Sequence, residues 1–168
     1  MHLLRPILLA LACTALLAAC QRGGGAGAQA PEAPSPGPLP AAPPPTAAQQ
    51  ALLDQLPVAY RHADLENGRL HANLCRACHT LTQGGPDMTG PNLYGVFGRK
   101  VASRPGYSYS PALSAKTWVW DAAHLDGWLK SPRTYVPGTK MTFYGIPDDT
   151  DRRDLIAYLK VATSPGSS

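Results

Sequence analysis

Cysteine is scarce in this chain: among its residues stand only Cys13, Cys20, Cys75 and Cys78. The first two fall in an apolar N-terminal stretch, so the rest of the chain holds at most one pair, with His62, His71, His79 and His124 scattered around it. A four-ligand zinc centre wants a second Cys or His pair at comparable spacing and would here have to recruit distant histidines. Long hydrophobic runs are missing too. The N-terminal run "PILLALACTALLAAC" has about fifteen residues, short of the roughly twenty that cross a bilayer as a helix. No segment alternates apolar and polar residues as a half-buried strand does, so no sheet is expected. Charge nearly vanishes over residues 21–50, where two charged side chains sit among Gly, Ala and Pro. Such a composition cannot bury enough apolar surface to offset the entropy of ordering it. It reads as a disordered tether, Gly-rich and loose at first, Pro-rich and extended later, and at about 3.1 Å per extended residue it would reach several tens of ångströms.

What is present begins with Arg5 ahead of the short apolar run, a length suited to the core of an export signal. The run ends in Leu17-Ala18-Ala19-Cys20, which resembles the lipobox of bacterial lipoprotein precursors. The resemblance implies that residues 1–19 are removed as a signal and that Cys20 becomes a lipidated first residue. Residues 20–55 would then tether a domain of residues 56–168 to the extracytoplasmic, periplasmic side of a bacterial membrane. An uncleaved signal anchor would leave the domain on the same side. Several acyl chains on one residue hold where a single chain binds only marginally.

The remaining segment is one small domain of limited core, which a bound prosthetic group would supplement. Three stretches carry helical signals. Asp64 to Leu74 leads into Cys75 with Leu65, Leu70 and Leu74 as apolar positions. Asp121 caps a segment to Lys130 with Leu125, Trp128 and Leu129 on one face. Asp148, Asp149 and Asp151 precede "RRDLIAYLKVAT", in which Leu155, Ile156, Leu159 and the Tyr158 ring form the apolar side and Lys160 lies near the end, as a helix dipole favours. Between them "TQGGPDMTGPNLYG" and "SRPGYSYSP" read as long loops that need something to wrap around.

The pentapeptide Cys75-Arg76-Ala77-Cys78-His79 is compatible by itself with a disulfide, a redox dithiol or a haem attachment. In order along the chain, "CRACHTLTQGG", "TGPNLYGVFGRK", "PGYSYS", "TWVW", "YVPGTKMTFYGI" and "DLIAYLK" resemble the class I c-type cytochromes, specifically the mitochondrial cytochrome c type. The resemblance implies an all-α fold in which N- and C-terminal helices cross and long loops enclose one haem c. Cys75 and Cys78 would bind its vinyl groups, and His79 and Met141 its iron; Met88, close to the attachment motif, is the weaker rival for the second position. Pro91 would accept the outer N–H of His79. Arg99, Tyr109 and Trp120 match positions near the haem propionates, with Thr139 and Ser110 as hydroxyl donors. Phe143 would cover the haem edge, and Gly145 would let the loop turn.

Three departures from that pattern stand out. Trp128 replaces a Tyr that commonly donates towards the Met sulfur, and Leu113 replaces an Asn; both changes are expected to alter the potential. Gly68 and Leu70 lie about one residue out of the family's first-helix register, leaving His71 or Leu74 at the helix crossing. From residue 57 onwards thirteen Lys and Arg face nine Asp and Glu, with Arg76, Arg133 and Lys140 near the family's exposed haem edge. That balance suits electrostatic steering towards acidic redox partners. The expected function is single-electron transfer between respiratory-chain partners, such as a quinol-oxidising complex and a terminal oxidase or reductase. No nucleic acid and no small-molecule substrate is expected. Peroxidase catalysis would need an open coordination position and a placed acid or base, and His124 is expected to be exposed and away from the Met141 loop.

Overall fold

The computed structural model describes residues 43–165. The expected signal segment, Cys20 and the tether up to residue 42 lie outside the described residues. Six α-helices and one 3₁₀ turn make up the regular structure of the described chain, which contains no strand, only a single bridge between Lys100 and Val119. No described helix is long and apolar enough to cross a membrane.

Helix α2, Leu65–Arg76, starts where the Asp64 carboxylate accepts from the backbone N–H groups of Glu66 and Asn67 at 2.9 and 3.0 Å. Glu66 in its first turn and Arg76 in its last complement the helix dipole. Helix α6, Asp149–Thr163, repeats the design with Asp148 as cap, Asp149 and Asp151 in the first turn and Lys160 in the last. Leu155, Ile156 and Leu159 are buried on α6 as expected. Tyr158 packs partly against the core, and its hydroxyl accepts from Arg76 at 2.7 Å.

The face that α2 turns to α6 differs from the expected one. Leu70 and Leu74 are more than half exposed, and the buried positions are Gly68 and Ala72. The cause is proximity: a Cβ on Gly68 would lie 2.2 Å from the Asp154 carbonyl oxygen and 2.7 Å from Tyr158 Cβ. Helices this close admit only the smallest side chains between them. Beside the crossing, Asn67 Nδ2 donates to Asp151 and Asp154, each at 2.9 Å, and Asp154 accepts the Asp64 N–H at 3.0 Å. His71 reaches Asp151 across the same interface, at 3.2 Å, whereas Leu74 lines the cavity described below.

Helix α4, Ala122–Lys130, is capped by Asp121 and buries Leu125, Trp128 and Leu129 as expected. Two four-residue helices, α3 at Pro111–Ser114 and α5 at Pro132–Tyr135, each begin with Pro at the first turn, where its missing N–H costs nothing. They were not anticipated, being too short to show a period.

The domain also starts earlier than residue 56. Helix α1, Ala47–Leu53, opens with a capping box in which Thr46 and Gln49 satisfy one another's backbone N–H groups. Leu53 and Leu56 are buried against the core, α1 packs on α6, and Gln55 accepts from Lys160 at 2.9 Å. Residues 46–55, expected in the tether, therefore belong to the folded unit. Leu53, the last residue of α1, and Leu56, in the bend beyond it, dock a segment that a run of Ala and Pro precedes.

Substituting Gly68 with Ala should lower the free energy of unfolding by about 1–3 kcal/mol, the usual cost of forcing an extra carbon into a packed contact. Chemical denaturation of wild type and variant checks this. Acid should weaken the start of α6. The Asn67 amide holds the Asp151 carboxyl below its usual pKa, and the Arg152 guanidinium does the same for Asp149. A carboxylate depressed in the folded state stabilises fully above its unfolded pKa near 4 and loses that contribution as pH falls through the folded value. Urea midpoints should fall below about pH 4, and the fall should shrink in a variant carrying Asp149→Asn with Asp151→Asn.

Candidate functional site: an apolar cleft at the end of helix α2

One cleft of about 260 Å³ opens beside the C-terminal end of α2. Its lining is mainly apolar: Leu93 and Val96 from the long loop, Leu113 from α3, Leu125, Trp128 and Leu129 from α4, and Leu159 from α6. Trp120 stands edge to face with Trp128, their rings 5.6 Å apart. Every position singled out from the sequence for cofactor binding lines this cleft: Cys75, Cys78, His79, Pro91, Arg99, Tyr109, Trp120, Thr139, Met141 and Phe143. Ser110 lines it as well. Met88 does not, and is 49 % exposed. His124 stacks on Trp118 with its Nδ1 at 2.8 Å from Asp121, away from the cleft.

The thiols owe their placement to a tight helix end. The N–H groups of Cys78 and His79 both donate to the Cys75 carbonyl, at 3.0 and 2.9 Å. One turn thus presents two thiols and an imidazole on the same cleft. Both thiols are free. Burial pushes the Cys75 pKa up to about 11, so it stands as the neutral thiol at neutral pH. His79 Nδ1–H donates to the Pro91 carbonyl at 2.6 Å, fixing the ring and leaving Nε2 as the acceptor. Burial lowers the His79 pKa against the opposing pull of that hydrogen bond. A neutral imidazole with one nitrogen engaged and the other bare is the form that binds a metal.

The loop carrying Pro91 is built by groups that sequence reading passed over. Gly90 lies against the His79 ring so closely that a Cβ there would sit 2.2 Å from Cε1. Its N–H donates to the Cys78 carbonyl at 2.8 Å. Asn92 is buried, and its amide donates to Thr80 Oγ1 at 2.6 Å and the Thr82 carbonyl at 2.9 Å. The Asp87 carboxylate accepts the Asn92 N–H at 2.7 Å and pairs with Arg104. The asparagine in "GPNL" was visible in the sequence, but its partners lie ten and twelve residues upstream, and nothing local announces them.

Arg99 brings positive charge to the cleft. Its guanidinium donates to the carbonyls of Asn92 and Tyr94 at 3.1 and 3.2 Å, and no carboxylate pairs with it among the described residues. Burial lowers its pKa. Ser110 Oγ accepts the Leu113 N–H that starts α3 and keeps its own hydrogen free to donate. On the other segment, Thr139 Oγ1 accepts the Met141 N–H at 3.2 Å, and Lys140 donates to the Ser108 carbonyl.

The family model described as Cytochrome c matches residues 65–163, more than half of the chain. Cytochrome c of Kluyveromyces lactis is 40 % identical over 105 residues, 62 % of this chain and 96 % of that protein. A cytochrome c homolog of Rickettsia felis is 44 % identical over 115 residues, 68 % of this chain and 65 % of its own length. A cytochrome c homolog of Bradyrhizobium diazoefficiens is 44 % identical over 98 residues, 58 % and 53 % of the two chains. The chain belongs to the cytochrome c family, a family of electron carriers rather than enzymes.

Membership implies a covalently bound haem c, and the cleft fits one. It offers two free thiols, a neutral imidazole, an apolar lining and a guanidinium with no carboxylate paired to it among the described residues, where carboxylates would be welcome. Among the described residues no group of three or more His, Cys, Asp or Glu is placed to hold a metal ion by itself. Replacing Gly90 with Ala should displace the His79 ring. The expected result is a marked loss of covalently bound haem per polypeptide, measured by pyridine haemochrome absorbance, beside an unchanged yield for Ala substitution at the exposed Val58, outside the cleft.

Proposed function

We propose that this chain is a membrane-tethered monohaem cytochrome c that passes single electrons between respiratory-chain partners. The observation that carries the reading is the gathering of Cys75, Cys78, His79 and Met141 on one apolar cleft. In this reading Cys75 and Cys78 hold haem c through thioethers, His79 offers Nε2 to the iron, and Met141 offers its thioether sulfur. The bound group supplies a reversible one-electron couple. An imidazole paired with a soft thioether favours the reduced metal and raises its potential. Pro91 fixes the tautomer of His79 and raises its basicity. Arg99, with Tyr109, Trp120, Thr139 and Ser110 nearby, offsets the cost of burying the propionates. Phe143 and the apolar wall keep water from the cleft, and two protein ligands leave no position for a substrate.

Donor and acceptor are read as a quinol-oxidising complex and a terminal oxidase or reductase. Both would dock where Arg76, Arg133 and Lys140 offer positive charge, with salt-sensitive rates. Cys20 is read as the lipid anchor on the periplasmic side of the envelope. The proline-rich stretch between anchor and α1 would let the domain swing between partners.

Three measurements test the reading together. Pigment in the purified mature protein should stay with the polypeptide through acidified acetone, and Met141→Ala should abolish the near-red charge-transfer band of thioether-ligated ferric haem. Cys20→Ala should move the cytochrome from the membrane to the soluble extracytoplasmic fraction without changing its spectrum. Pigment extracted by the acid would sink the covalent haem assignment, and a spectrum indifferent to Met141 would sink its reading as an iron ligand. A Cys20→Ala protein still held at the membrane would sink the lipid anchor alone.

A further inference from the structure

Arg152 is a charged side chain in a place where charge is costly. It stands in the first half of α6 with 2 % of its surface exposed, and every face of its guanidinium is engaged. Nε donates to Asp126 Oδ1 at 2.8 Å, and Nη2 reaches Asp126 Oδ2 at 3.4 Å and Asp149 Oδ1 at 2.6 Å. Nη1 donates to three successive carbonyls, those of Ile146 at 2.8 Å, Pro147 at 3.1 Å and Asp148 at 3.3 Å. A buried ion pair adds little net stability compared with an apolar replacement, but removing one partner strands the other groups. Six acceptors on one cation therefore mark a position where geometry is being held.

What it holds is the return of the Met141 loop. Ile146 follows Met141 by five residues, and its N–H donates to the Leu129 carbonyl at 2.9 Å. Gly145, at φ +102°, lies where a Cβ would meet the Lys130 carbonyl at 2.2 Å. The downstream end of the loop is thus laid along the end of α4, and Arg152 binds that end to both α4, through Asp126, and α6. Upstream the loop is fixed by the Thr139 N–H donating to the Val136 carbonyl at 3.0 Å. Between the two anchors Met141 and Phe143 pack against the core while only partly buried, and Tyr144 is 96 % exposed. Met141 is therefore held by its flanks, and Arg152 supplies the larger part of one flank.

We propose that Arg152 is a positioning residue for Met141, acting through the Ile146–Asp148 carbonyls to keep the sulfur on the iron. The proposal rests on the reading of Met141 as an iron ligand. An external ligand such as imidazole binds ferric iron only when the methionine has left, so its apparent affinity is the intrinsic affinity scaled by the open fraction. Loosening the loop raises that fraction. Lys in place of Arg keeps the charge but loses the planar fork that reaches both Asp126 and the carbonyls.

The test is imidazole titration of the ferric holoprotein carrying Arg152→Lys, Arg152→Leu or Asp126→Asn, with the near-red band, the reduction potential and the denaturant midpoint measured on each. Gly68→Ala serves as a variant destabilised at a site that does not touch the loop. The expected result is an imidazole affinity raised about tenfold or more in Arg152→Leu, a shift that corresponds to about 1.4 kcal/mol. The band should weaken and the potential fall in parallel, with smaller shifts in Arg152→Lys and Asp126→Asn. Gly68→Ala should lose stability with its imidazole affinity within about twofold of wild type. If the Arg152 variants lose stability while band, potential and affinity match those of Gly68→Ala, the residue is a structural staple and the proposal fails. Should Arg152→Leu not fold, the other two variants decide by the same criteria. Met141→Ala separates the premises: a band and potential unmoved by that change overturn the ligand reading and this proposal with it, whereas a lost band leaves Arg152 to be judged by its own variants.

Discussion

The closeness of α6 to Gly68 is the constraint on which the rest of the structure depends. Two helices whose backbones nearly touch admit no larger side chain between them, and their crossing sets how the end of α2 lies against α6. The end of α2 becomes the turn that presents Cys75, Cys78 and His79. One side of α6 contributes Leu159 to the cleft, while its first half carries Arg152 against the other rim. The polar groups flanking the contact, Asn67, Asp151, Asp154 and the Asp64 N–H, satisfy one another. Rotating either helix to bury a leucine instead would orphan them.

Around that contact the domain is built as a shell. A domain of this size has a limited core, and the long segment between α2 and α3 has almost no regular structure to offer. It is held by side chain to backbone bonds in place of a ladder: Asn92 gathers Thr80 and Thr82, Asp87 caps Asn92, and Arg99 closes on Asn92 and Tyr94. The opposite loop is held by Thr139 at its start and Arg152 at its return. Two irregular segments anchored at their ends leave an apolar cleft between them with donors at one side, a form suited to a flat group with two carboxylates.

The legible parts of the site and fold were those whose information is local. Cys75, Cys78 and His79 are spaced by a single turn, and Pro91, Arg99, Tyr109, Trp120, Thr139, Met141 and Phe143 sit in short motifs whose order along the chain is itself distinctive; all reached the same cleft. The faces of α4 and α6 could be read from their periods and their acidic caps. Reading failed where size mattered more than hydrophobicity. Leu70 and Leu74 looked like the core of α2, yet Gly68 and Ala72 are buried because the partner helix comes too near for anything larger. It failed again at α1, whose two leucines follow a run of Ala and Pro that masks the start of the fold. Arg152 was not singled out at all, because its burial depends on partners in α4 and in the Met141 loop.

By itself the sequence determined which atoms could react and in what order they come. Thiol spacing, an imidazole next in line and a lone thioether after "PGTK" are properties of covalent connectivity, and the helix periods and caps depend on neighbours three or four residues away. Only the tertiary structure decided which small residues face each other, which charged side chain is buried, and that residues 46–55 belong to the domain. Those outcomes turn on distances between segments far apart in the chain, and the cost of a close contact or a desolvated charge exists only once the segments have met.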